Sequence, residues 1–121
     1  MAWEVEFTEE FEIWWNSLTE SEQGKVDARI GLLLERGPNL GFPFSSQVKT
    51  SRYPEMRELR AQAGGDPIRI LYAFDRRRTA ILLVAGDKTG DDRWYEINVP
   101  VADRLFDLHL LEIREEGAGN G

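Results

Sequence analysis

Residues 56–90 read MRELRAQAGGDPIRILYAFDRRRTAILLVAGDKTG, and their rhythm decides the fold. Three runs, MRELRAQ (56–62), PIRILYAFD (67–75) and TAILLVAG (79–86), are separated by a Gly64-Gly65-Asp66 turn and a basic turn at Arg76–Arg78. Connections that short join neighbouring antiparallel strands and leave no room for a crossover helix. The middle of the third run, AILLV, is apolar without alternation, so it is expected to be central. Period-two alternation puts Met56, Glu58 and Arg60 on one face and Arg57 and Leu59 on the other. In the second strand it separates Arg69, Leu71 and Ala73 from Ile68, Ile70 and Tyr72.

Outward from this core, WEVEF alternates and predicts a half-buried strand at 2–7, pairing alongside the other three. Thr8 can cap a helix that carries Phe11, Trp14, Trp15 and Leu18 at helical spacing. Thr19 and Glu22 form a capping box for a second helix with Val26, Ile30, Leu33 and Leu34 on one face, ended by Gly37-Pro38. The two make a hairpin over 9–36, expected on one face of the sheet. Residues 37–55 are rich in Gly, Pro and Ser and form the longest irregular stretch, a length often kept for function. Pro100 suits a first helical position, so a last helix is expected from there to about Glu116. The order β-α-α-β-β-β-α predicts a small α+β domain over 1–116 with a flexible tail at 117–121.

The 121 residues include no cysteine, which excludes disulfides, thiol nucleophiles and zinc–thiolate sites. No signal peptide and no apolar run of membrane-spanning length is read, so a soluble cytoplasmic protein is expected. With 22 acids against 15 bases the net charge is −7, against the basic footprint of generic nucleic-acid binders. The charge is unevenly spread: −6 over 1–48, +3 over 49–93 and −4 over 94–121. A local polyanion site and a solvated mixed-charge sheet both remain open.

The loop AGDKTGDDRWYE (85–96) admits several chemistries. DKTG opens the phosphorylation motif of P-type ATPases, but that chemistry needs a parallel-sheet phosphate core, and the motif's continuation is missing. A calcium loop starting at Asp87 fails at both defining positions, with Asp92 for the glycine and Asn98 for the glutamate. A divalent site built from Asp87, Asp91 and Asp92 is a minor alternative; no metal is expected. The remaining reading lets Arg57 or Arg60, Arg69 and Lys88 converge on a phosphate at one sheet edge, for which the planar guanidinium is suited. Its structural alternative pairs Arg69 with Glu58, since a strand arginine among apolar neighbours is costly to bury alone.

MRELR, then IRILYAF, then a strand ending in AGDKTG, an aromatic pair, and the helix PVADRLFDLHLLEI together resemble the RelE/HigB superfamily of type II toxins. The likeness is strongest to the phage-derived HigB-like branch and covers residues 2–116 in element order. It implies a small α+β domain without cofactor, in a family many of whose members cut mRNA on the translating ribosome. Such toxins are held inactive by a cognate antitoxin, often with a helix-turn-helix. By the same resemblance Arg69 matches the arginine at the scissile phosphate, and Lys88 a basic residue after the last strand. Tyr95 matches an aromatic that positions or deprotonates the attacking group. Arg57 and Arg60 fall in the RNA-binding second strand, and Trp94 offers a ring for base stacking. RNA supplies the nucleophile through its 2′-hydroxyl, so the protein has only to position it, stabilise the phosphorane and move protons. His109, the only histidine, shares a stripe with Ala102, Phe106 and Ile113 and reads as packing. The chain departs from the family in its acidity and in Glu58, where other toxins have lysines. The related ParE-like branch keeps the fold and inhibits gyrase.

Overall fold

The computed structural model describes residues 3–120, with side chains described to Glu116; the tail expected at 117–121 lies outside those side chains. Strands β1 (Glu4–Phe7), β2 (Ser45–Gln47), β3 (Arg57–Ala63), β4 (Asp66–Phe74) and β5 (Thr79–Asp87) form one sheet in the order β1-β5-β4-β3-β2. Pairings β2–β3, β3–β4 and β4–β5 are antiparallel, and β1 lies parallel to β5. Helices α1 (Glu9–Asn16), α2 (Glu20–Arg36) and α3 (Trp94–Asn120) complete the fold. It is the expected α+β domain, with three layers.

Each helix of the hairpin is capped as its sequence dictates. Thr8 accepts from the Phe11 amide, and Thr19 and Glu22 form the reciprocal capping box. The hairpin covers the sheet face carrying Leu59, Ala61, Ile68, Ile70, Tyr72, Ala80 and Leu82, with Trp14 and Trp15 packed against that core. α3 covers the opposite face, where Met56, Leu71, Ala73, Ile81, Leu83 and Val84 meet Val99, Ala102 and Phe106. The unbroken apolar run of β5 follows from this double burial. A bulge contributes as well: Leu71 pairs with Val84 and Tyr72 with Leu82, so Leu83 is an extra residue on the α3 face.

Two expectations need correction. The stretch 37–55 contains a 3-10 turn at Gly37–Asn39 and the edge strand β2. Its second half is tied to α3: Ser51 Oγ and the Arg52 amide donate to Asp103, while Arg52 and Tyr53 donate to Asp107. The last helix begins at Trp94, leaving Pro100 inside it. A proline there forfeits one backbone bond and leaves the carbonyl four residues back without its helical donor, a loss the apolar contacts of Trp94 and Val99 with the sheet offset.

Candidate active site

The site lies where β3, β4 and β5 present their α3-facing residues near the start of β4. In the register, Arg60 stands opposite Arg69 and Arg69 opposite Gly86, so the β5 exit carrying Lys88 lies beside them. The Lys88 amide donates to the Pro67 carbonyl at 3.0 Å, fixing the loop to the head of β4. The first turn of α3 then brings Tyr95 over the same patch.

Glu58 is the hub. Its carboxylate, 7% exposed as a residue, accepts from the Tyr95 hydroxyl at 2.5 Å and from Ser46 Oγ at 2.9 Å. Arg69 Nε approaches the same Oε1 atom to 3.2 Å. That contact is an ion pair without a well-aligned hydrogen bond, and Arg69 donates instead through Nη1 to the Ile68 carbonyl at 2.9 Å. The salt bridge weighed from the sequence therefore exists, and it is buried on both sides. Lys88 Nζ sits 5.5 Å from the centre of the Tyr95 ring. Burial pushes the Tyr95 phenol above its ordinary pKa, Glu58 adds to the rise, and Arg69 opposes it. Tyr95 thus stays protonated near neutrality and acts as a hydrogen-bond donor. The arrangement holds two cations, a phenol and a carboxylate within reach of one another, enough to bind a phosphodiester and relay a proton.

Arg69, Lys88 and Tyr95 are therefore brought together; Arg60 is the cross-strand partner of Arg69, but its guanidinium turns to the sheet edge over Phe42. Arg57 is not part of this group. It lies on the hairpin face opposite Tyr72, where its Nε donates to Ser45 Oγ at 2.9 Å and its Nη2 to the Leu40 carbonyl. Alternation along β3 separates it from Arg60, and its guanidinium is engaged in bonds to the β2 segment away from the Arg69 patch. Trp94 also departs from the expectation of base stacking. It is 4% exposed, packed edge-on to Tyr95, with its indole lying over Gly86. A Cβ at Gly86 would come within 2.8 Å of Trp94 Nε1, so the glycine makes the space the ring fills. A buried ring has no face for a base.

The loop acids serve the backbone. Asp87 accepts from the Thr89 amide and Asp91 from the Arg93 amide, and hydrogen bonding from Thr89 holds the Asp87 carboxyl below its usual pKa. No group of three or more His, Asp or Glu side chains suited to a metal gathers among the described residues. His109 is remote: its Nε2 lies 2.8 Å from Asp75 Oδ2 at the far end of β4, roughly 20 Å along the strand from Arg69 at 3.3 Å per residue. Sequence reasoning treated Glu58 only as the partner of Arg69 and missed Ser46. For Glu58 the signal was present, because its strand parity matches that of Arg60, which pairs with Arg69. Ser46 had none, since its strand is three residues long.

The model of the phage-derived Gp49-like proteins matches residues 13–107. HigB3 of Mycobacterium tuberculosis, by its name a candidate toxin, is 44% identical over 109 residues, covering 89% of this chain and 92% of that protein. HigB2 of the same organism, named likewise, is 39% identical over 109 residues; the match spans 88% of this chain but 54% of that longer protein. Among solved structures, a free-state double arginine-to-alanine mutant of the E. coli toxin RelE superposes with a TM-score of 0.59 at 14% identity, over 79% of this chain and 94% of that one. RelE from an archaeal RelE–RelB complex of Pyrococcus horikoshii gives 0.55 at 16%, over 74% and 99% respectively. These two likenesses concern the fold alone. With the family model over most of the chain and a relative matched nearly end to end, the chain belongs to the phage-derived Gp49-like family, within the RelE/HigB superfamily of toxins.

Proposed function

We propose that this chain is the toxin of a toxin–antitoxin pair and stops translation by cutting mRNA on the ribosome without a metal. The observation that carries this reading is the cluster of Arg69, Lys88 and Tyr95 around Glu58 at one end of the sheet. In the reaction the RNA 2′-hydroxyl attacks the adjacent phosphorus, the 5′-oxygen leaves, and a 2′,3′-cyclic phosphate forms. Arg69 and Lys88 stabilise charge on the phosphorane. Tyr95, held protonated, is the donor of the site, and Glu58 is its acceptor, linked to Tyr95 by a short charge-assisted bond. Glu58 takes up the proton of the attacking 2′-hydroxyl, and Tyr95 gives its proton to the departing 5′-oxygen. The partner we propose is a cognate antitoxin with a helix-turn-helix, in a cytoplasmic pair; the RelE–RelB complex of a structural neighbour supports a protein partner as such. No helix among the described residues is long and apolar enough to cross a membrane.

Induced expression without the antitoxin tests the reading. Growth should arrest with translation, and Arg69→Ala and Lys88→Ala should relieve it. Loss of a transition-state phosphate contact lowers the rate by roughly 10²–10³. Tyr95→Phe, which removes the donor, should slow cleavage by roughly 10²–10⁴, and circular dichroism must show each variant folded. The buried ion pair favours one second reading, because it partly neutralises the arginine meant for phosphate. That reading is a gyrase-directed toxin on the same scaffold, which would block supercoiling and leave mRNA intact.

A further inference from the structure

β2 pairs only with residues 57–59 of β3, so on that side residues 60–63 have no strand partner, and the chain leaves a notch of about 250 Å³ there. Three arginines from different elements line it: Arg29 from α2, Arg60 from β3 and Arg69 from β4. No aspartate or glutamate does. In a chain with 22 acids and 15 bases that grouping is unexpected. Among the described residues neither Arg29 nor Arg60 makes an ion pair; both rest on aromatic rings of one loop instead. The Arg29 guanidinium carbon lies 4.7 Å from the Phe44 ring centre and that of Arg60 5.4 Å from Phe42. Arg29 Nε is buried with no hydrogen-bond partner, and so is the Nε of Arg69 apart from its ion-pair contact. A buried guanidinium nitrogen without an acceptor costs stability unless something fills the role. The loop itself is fixed, since the Arg60 amide donates to the Phe44 carbonyl at 2.8 Å. Phe42, next in sequence to the lining residue Pro43 and in contact with Arg60, is 77% exposed.

We infer that this notch is a nucleotide subsite for single-stranded RNA. Arg29 and Arg60 hold a backbone phosphate next to the one at Arg69 and Lys88, and Phe42 stacks its base. Guanidiniums facing a groove beside an exposed aromatic ring, here with one face under Arg60 and the rest open, are the two elements by which single strands are gripped without sequence reading. The subsite rests on the RNA reading above and adds Arg29 and Phe42 to it.

The test is fluorescence anisotropy of the full chain with a labelled 2′-O-methyl hexaribonucleotide, which cannot be cut, over a range of salt. Arg29→Gln should lower the slope of log affinity against log salt by ~0.7, the value of one single-strand phosphate contact. Arg29→Lys, which keeps the charge, should restore the slope. Phe42→Ala should weaken binding by roughly 5–100-fold, and Phe42→Tyr should retain it. Phe42 is exposed, so its removal leaves the fold intact. If Arg29→Gln and Phe42→Ala bind like the wild type while Arg69→Ala abolishes cleavage, the subsite is wrong and the nuclease reading stands. If the wild type neither binds the oligonucleotide nor cuts mRNA, the nuclease reading fails and the subsite with it. If poly-glutamate occupies the notch and RNA does not, an acidic protein segment is the occupant and the inference is overturned.

Discussion

The Glu58–Arg69 pair can be separated from its surroundings by a double-mutant cycle. Their side chains are 9% and 8% exposed, so truncating either partner strands the other's charge away from water. Glu58→Met leaves the guanidinium with the Ile68 carbonyl as its remaining protein acceptor; Arg69→Met leaves a carboxylate supported by Tyr95 and Ser46. Breaking a buried pair on one side costs about 3–5 kcal/mol, roughly 10–20 °C in Tm for a chain of this size. The loss should be smaller for Arg69→Met, because two hydroxyl donors stay on the carboxylate. The double variant replaces both charges with apolar volume. Tyr95 and Ser46 then lose an acceptor, about 1 kcal/mol each, so its net loss should not exceed about 2 kcal/mol. With single losses of about 3 kcal/mol or more each, the coupling is therefore about 4 kcal/mol or more in favour of the double variant. Urea unfolding at pH 7, followed by far-ultraviolet circular dichroism and extrapolated linearly, measures it. Single losses that simply add, with coupling inside about 0.5 kcal/mol, would refute the claim that Glu58 and Arg69 compensate one another.

Other outcomes follow from the same structure. Burial raises the Asp75 pKa, but hydrogen bonds from Arg77 and His109 outweigh it and hold the carboxyl below its usual value. Its contribution is therefore present above about pH 4 and lost as pH falls through the lower folded value, so Asp75→Asn should flatten the acid limb of a stability–pH curve. Gly86→Ala pushes a methyl into the Trp94 indole and should cost roughly 1–3 kcal/mol, with a shift in tryptophan emission; an unchanged spectrum and urea midpoint would contradict the packing described. Cleavage should survive EDTA, and loss restored by one divalent ion would revive a role for Asp87, Asp91 and Asp92.

The strands were legible because hairpin turns and side-chain parity are local signals. Parity alone put Glu58 with Arg60 and left Arg57 on the other face, which the structure bears out. The continuous run in β5 pointed to an interior strand, which the sheet order bears out, but not to the bulge that gives both Leu83 and Val84 to α3. What failed depended on contacts between distant segments. β2 is three residues held by β3, with no alternation of its own to read. The start of α3 was misplaced because Pro100 fits a first helical position equally well, and only packing of Trp94 over Gly86 extends the helix backwards. The same packing removed Trp94 from the surface. Glu58 was visible as a partner for Arg69, but its bond to Tyr95 required the position of α3.

The most direct measurement maps RNA ends after mixing the purified protein with ribosomes translating a defined mRNA. The account predicts new 5′ ends inside the coding region, upstream fragments carrying a 2′,3′-cyclic phosphate, and neither with Arg69→Ala or without ribosomes. Intact mRNA in the presence of folded wild-type protein would contradict it.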